Sequence, residues 1–77
     1  MKLTMYGTRI KELRLEKGLS QEELGALLKC GQRTVSKYER EVLDLGTQTL
    51  IALCRIFEVS SDYILGIEDE TGAKLYR

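Results

Sequence analysis

The chain has 77 residues, with 12 Lys/Arg balanced by 12 Asp/Glu and neither histidine nor proline. That length supports one small domain, since domains of roughly 60 to 80 residues bury only about 60% of their unfolded surface. Read as a whole protein, it leaves no place for a separate small-molecule sensor or a catalytic module. No run approaches the roughly 20 apolar residues that span a bilayer, and residues 1–9 lack the apolar stretch of a signal peptide. The expected location is therefore the cytoplasm, with no membrane partner.

The balance of charge hides a polarity. Residues 1–40 carry nine Lys/Arg against five Asp/Glu, a surplus of +4, and residues 41–77 carry three against seven, a surplus of −4. A basic half beside an acidic half points to a polyanionic partner for the basic one. The two cysteines, Cys30 and Cys54, have neither CxxC spacing nor a histidine to join them, so they predict small buried thiols and no metal site.

In chain order, apolar residues recur at helical spacing and glycines punctuate them, which predicts an all-α fold. The first run places Tyr6, Ile10, Leu13 and the stem of Lys17 on one face, with Arg9, Lys11, Glu12 and Glu16 around it, and Gly18 ends the helix. Ser20-Gln21-Glu22-Glu23 reads as a capping box that starts a second helix at Gln21. Its inward residues are expected to be Leu24, Leu27 and Leu28. Lys29-Cys30-Gly31 interrupts the pattern, and a third helix follows from Gln32 to Arg40 with Gly31 as its cap. A fourth helix carries Leu50, Leu53, Cys54 and Phe57 at i, i+3, i+4 and i+7. Ser60 introduces a fifth, closed by Gly66. Residues 1–66 thus form the domain, and residues 67–77 read as a C-terminal tail or as a short dimer arm in which Ile67, Leu75 and Tyr76 pack on a partner subunit. Tyr6, Tyr38 and Tyr63 read as amphipathic edges of the core.

Two short helices joined by a three-residue turn, Gln21 to Leu28 and Gln32 to Arg40, have helix-turn-helix spacing. Gly25 lets the second and third helices approach, and Val35 fills the gap between them. The third helix then turns Gln32, Arg33, Ser36 and Lys37 outward. These side chains suit a major groove: Gln pairs with adenine, Arg and Lys with guanine, and Ser with either.

Residues Arg9 to Gly66, about three quarters of the chain, closely resemble the phage Cro and lambda-repressor type helix-turn-helix domain, also called the xenobiotic-response-element family. The words that carry the resemblance are Arg9-Ile10-Lys11-Glu12-Leu13-Arg14, Gly18-Leu19-Ser20-Gln21-Glu22-Glu23-Leu24, Val35-Ser36-Lys37-Tyr38-Glu39 and Phe57-Glu58-Val59-Ser60-Ser61-Asp62-Tyr63-Ile64-Leu65-Gly66. They stand in the family's order and at its spacing. The resemblance implies a compact five-helix lambda-repressor-like domain that binds double-stranded DNA as a homodimer and represses transcription. It implies that Gln21 anchors a phosphate, that Gln32 and Arg33 lead base reading with Ser36 and Lys37 one turn on, and that Thr34 touches phosphate. It also implies an ion pair between Arg14 and Glu39 that orients the third helix, and it calls for no cofactor.

The departures are local. Lys29 stands where the family turn often has glycine, Glu41 where glycine often follows the third helix, and Leu45 where proline is common. Glu41 and Asp44 bring negative charge to a loop that runs beside the DNA backbone in relatives, which weakens the phosphate contacts expected there. Val42, Leu43 and Leu45 are either core cover or part of a subunit or partner interface. No histidine, base-paired thiol, glycine-rich phosphate loop or metal cluster supports catalysis, so no enzyme is expected. The competing reading is a protein-interaction module, such as an antitoxin that holds a partner protein and also binds its own promoter.

Overall fold

The computed structural model describes residues 5–67. It is all-helical over that span, in the order α1 Tyr6–Glu16, α2 Gln21–Leu28, α3 Gln32–Glu39, α4 Thr47–Phe57 and α5 Ser61–Leu65. Of residues 67–77, predicted as a tail or dimer arm, all but Ile67 lie outside the described residues.

One sealed side chain from every helix meets in the centre: Ile10 from α1, Leu24 from α2, Val35 from α3, Leu53 from α4 and Ile64 from α5, each no more than 1% exposed. Burying a side chain of that size stabilises the fold by about 1.5–3 kcal/mol. Because each helix is short, its tertiary anchor rather than its own propensity keeps it formed. Tyr6, Leu13 and Phe57 close the core, and Leu19, Leu28, Leu45 and Leu50 pack around it.

The helix starts follow the sequence. Ser20 Oγ accepts from the Glu23 amide at 2.9 Å, and the Glu23 carboxylate accepts from the Ser20 amide at 2.8 Å, a complete capping box. Ser60 Oγ accepts from the Tyr63 amide at 3.0 Å and begins α5. Gly31 caps α3 in an extended conformation without a side-chain bond.

All five helices stop in the same way. A left-handed residue follows the last turn at Gly18, Lys29, Glu41, Glu58 and Gly66. In each case the next amide, that of Leu19, Cys30, Val42, Val59 or Ile67, reaches back to the carbonyl five residues earlier. Only two of these five positions are glycine, so three L-residues carry a conformation that costs about 1–2 kcal/mol.

Three expectations about facing are corrected. Leu27 is 54% exposed, because the inward arc of α2 runs through Leu24, Gly25 and Leu28 and leaves Leu27 roughly 100° to one side. The stem of Lys17 is exposed rather than packed, since the helix has ended before it. Arg9, expected at the rim, is only 8% exposed: its guanidinium lies 4.1 Å from the centroid of the Tyr63 ring, a cation–π contact between α1 and α5. The cysteines are free and half-buried, and burial raises both thiol pKa values.

Two glycines are required by space. A Cβ on Gly25 would stand 2.8 Å from the Cys30 carbonyl oxygen and 3.1 Å from the carbonyl carbon and oxygen of Gly31, so its clearance admits both the turn that follows α2 and the N-cap of α3. On Gly7 a Cβ would stand 2.3 Å from the Glu39 carbonyl oxygen, the point where α1 meets the end of α3.

Glu58→Gly and Lys29→Gly are each expected to raise unfolding free energy by about 0.5–1 kcal/mol, the relief of left-handed strain less the added chain entropy. Gly7→Ala is expected to lower it by about 1–3 kcal/mol. Urea midpoints at unchanged m-value check both signs.

Candidate nucleic-acid interface

Helix α3 is held by its inner side and bare on its outer one. Val35 is fully buried, whereas Gln32, Arg33 and Lys37 are exposed and Thr34 and Ser36 are half-buried. The five side chains share one stretch of helix, with Gln32 and Arg33 at its N-terminal end and Ser36 and Lys37 a turn later. Ser36 Oγ accepts from Arg40 Nε at 3.2 Å, which draws a further cation along the same face.

A single polar chain ties this surface to the rest of the molecule. Arg14 Nε donates to Glu39 Oε2 at 2.6 Å and Arg14 Nη2 to Glu39 Oε1 at 3.3 Å, while Nη1 donates to the Leu19 carbonyl at 2.9 Å. The two side chains are only 10% and 5% exposed. Glu39 Oε1 also accepts from Gln21 Nε2 at 3.1 Å, and Gln21 Oε1 accepts from Gln32 Nε2 at 2.6 Å. The chain therefore runs from α1 to the C-terminal end of α3, across to the start of α2, and back to the first residue of α3. Gln21 spends both ends of its carboxamide in this chain, and the Gln32 carboxamide is oriented by it.

Behind the C-terminal end of α3 the loop is fastened to α1. The Gly7 amide donates to Glu41 Oε2 at 3.1 Å, and Tyr6 OH donates to the Leu43 carbonyl at 3.0 Å. Met5, at the N-cap of α1, supplies no side-chain cap, and the first turn of that helix holds no acidic residue. The Glu41 carboxylate thus provides the negative charge that the α1 N-terminus favours. Burial, with the charges of Asp44 and Glu41 next, raises the Tyr6 pKa and keeps the phenol a donor. Of the loop's apolar residues, Leu45 packs on the core, whereas Val42 is 64% and Leu43 39% exposed.

Sequence reasoning placed the α3 residues and Gln21 but missed three supports. These are the clearance at Gly7, the burial of Arg9, and the turn of the Glu41 carboxylate to the Gly7 amide. For Arg9 a signal existed: it stands three residues after Tyr6 and four before Leu13, on the buried stripe. For Gly7 and Glu41 the cause is a long-range approach that no local pattern announces.

With this geometry in view, comparisons place the chain among known proteins. A family model described as helix-turn-helix matches residues 10–64. The HTH-type transcriptional regulator ImmR of Bacillus subtilis is 41% identical over 68 residues, covering 88% of this chain and 53% of that protein. The uncharacterized HTH-type transcriptional regulator YobD of the same organism is 33% identical over 73 residues, covering 95% of this chain and 65% of that protein. The chain thus spans less than two thirds of the length of either relative. Among solved structures, the P22 c2 repressor in complex with synthetic operator 9T superposes with a TM-score of 0.75 at 28% identity, covering 79% of this chain and 92% of that one. The Bacillus subtilis regulator of biofilm formation SinR, in complex with DNA, gives 0.70 at 32% identity, covering 79% of this chain and 98% of that one.

Removing one partner of the buried pair, as in Glu39→Ala, is expected to cost about 3–5 kcal/mol of stability, because it leaves the Arg14 charge buried and unpaired. Replacing both, with Arg14→Met and Glu39→Leu, is expected to recover most of that loss in the same urea titration.

Proposed function

From the chain's membership of the helix-turn-helix family we propose that it is a sequence-specific double-stranded DNA-binding transcriptional regulator, acting from the cytoplasm as a repressor. Two copies bind a palindromic operator as a homodimer, each placing α3 in the major groove of a half-site, with half-sites about 10 base pairs apart. The observation that carries this reading is the outer face of α3, where Gln32, Arg33 and Lys37 are exposed while Val35 is sealed beneath them. A helix so anchored presents its donors without having to be ordered on binding, which lowers the entropic cost of the complex.

On this reading each residue has a role suited to its place. Gln32, Arg33 and Lys37 contact base edges, and Ser36 supports them one turn on. Gln21 stands at the first position of α2, where the capping box satisfies the amides of Ser20 and Glu23 but not those of Gln21 and Glu22. A phosphate oxygen accepts from that helix end, with Thr34 as a second contact. Because Gln21 also holds Gln32, the phosphate contact and the leading base contact are set together. Glu41 is folded against the Gly7 amide, so the loop after α3 contributes little to backbone binding.

One observation favours a second reading. Val42 and Leu43 form an exposed apolar pair beside the DNA-reading element. A module that also holds a partner protein there, as an antitoxin does, is compatible with operator binding. Protection of this loop from hydrogen exchange in a co-purified heteromeric complex would support it.

A binding selection from randomised duplexes tests the main reading. It is expected to enrich an inverted repeat. Arg33→Ala is expected to lose about 1–3 kcal/mol at one base position only, and Gln32→Ala to relax a neighbouring one. Affinity is expected to fall as salt rises. Absence of enrichment by folded, monodisperse protein would overturn it.

A further inference from the structure

A second surface stands apart from the DNA-reading face. Glu12, Leu15 and Glu16 of α1 and Tyr63 of α5 line an open groove of about 620 Å³. Leu15 among them is 57% exposed, a large apolar side chain outside the core. Glu12 and Glu16 are exposed and stand one turn apart, a spacing at which like charges repel. Among the described residues neither has an ion-pair partner. The Tyr63 wall is preformed, because Arg9 lies 4.1 Å from its ring centroid and is itself buried.

We propose that this α1–α5 groove docks a basic amphipathic segment of a partner protein, with its cations on Glu12 and Glu16 and its apolar side chain on Leu15 and Tyr63. The argument is charge and shape together. Two carboxylates that pair with no cation among the described residues flank an apolar strip, and the Tyr63 ring, on which Arg9 already lies, adds apolar surface for a methylene chain. Acidic or nucleic-acid ligands are disfavoured by the same pair.

The groove is also placed to work while DNA is bound. At 100° per residue, Glu12 and Glu16 lie about 160° around α1 from Arg14, the residue that grips α3. The edge of α1 that carries the groove is therefore the edge turned away from the recognition helix. A segment docked there adds a protein contact to a DNA-bound regulator without competing for α3. This inference does not require the DNA reading, and its test separates the two.

The experiment is a titration of the isotopically labelled full chain with a short amidated peptide of arginine, leucine and alanine whose arginines recur at every fourth position. Amide shifts are expected to saturate at Glu12, Leu15, Glu16 and Tyr63 and to leave Gln32 and Arg33 in place. Reversing both carboxylates, Glu12→Lys with Glu16→Lys, is expected to weaken binding about tenfold or more, as juxtaposed like charges do. Leu15→Ala is expected to weaken it several-fold without altering the charge, which separates docking from general attraction to an acidic surface. The Glu12→Gln, Glu16→Gln pair repeats the test with less perturbation should the reversal disturb folding. DNA affinity of the neutral pair is expected to be unchanged, and DNA is expected not to displace the peptide. Shifts spread over Glu22, Glu23 and Glu58 as strongly as over the groove, or equal binding by the Leu15 and charge variants, would overturn the proposal.

Discussion

The buried Arg14–Glu39 pair is the constraint on which the rest of the molecule turns. Two charges removed from water are costly unless their remaining valences are met, and here almost all are. The guanidinium gives two bonds to Glu39 and a third to the Leu19 carbonyl, and Glu39 takes a further bond from Gln21. Meeting those valences fixes four pieces of chain at once: the end of α1, the turn after it, the start of α2 and the end of α3. An apolar pair would fill the same space, but it would not specify the direction of Gln21. Because Gln21 hands that direction on to Gln32, the interior charge pair and an exposed side chain at the start of α3 belong to one bonded unit.

A helix of eight residues such as α3 has little rigidity of its own. Its orientation comes from three attachments at different heights. Val35 is sealed in the core at its middle, Gln32 is tied to α2 at its beginning, and Glu39 is tied to α1 at its end, where its carbonyl also rests against Gly7. Removing the middle attachment opens a cavity, and removing either end lets the helix pivot about Val35. The outer residues are thus free to be chosen for chemistry, since none of Arg33, Thr34 or Lys37 takes part in these attachments.

How much of this was legible depends on the range of the interaction. The capping box at Ser20, the cap at Ser60, the five helices and the Val35 anchor are local or nearly local, and the pattern of residues 20–66 announces them. Facing was legible only where the stripe was clear. Leu27 was misplaced because α2 is short and leucine at three of its last five positions makes its wheel ambiguous. The residue-by-residue resemblance predicted the Arg14–Glu39 contact, which spacing alone does not, for the partners lie 25 residues apart. Left-handed helix ends were legible at Gly18 and Gly66 but hidden at Glu58, where a charged residue stands in the conformation that glycine usually takes. There the signal is the apolar residue that follows, Val59, which the reversed chain tucks against the core.

A net charge of zero looks unpromising for a DNA-binding chain. Charges more than about 8–10 Å apart are largely screened at physiological salt, so the local inventory decides. Around α3, Arg33, Lys37 and Arg40 stand outward, while the acidic residues closest in sequence are withdrawn. Glu39 is buried against Arg14, and Glu41 is turned to the Gly7 amide. The two carboxylates that close α3 and follow it are thus each engaged with a donor on α1, so the contacts that fasten the end of α3 also withdraw negative charge from it. Glu12 and Glu16 stand on another edge of α1, where they repel nucleic acid and favour a cationic partner. Opposite charges thus lie on two edges of a single helix, α1, one of which clamps α3 while the other carries Glu12 and Glu16.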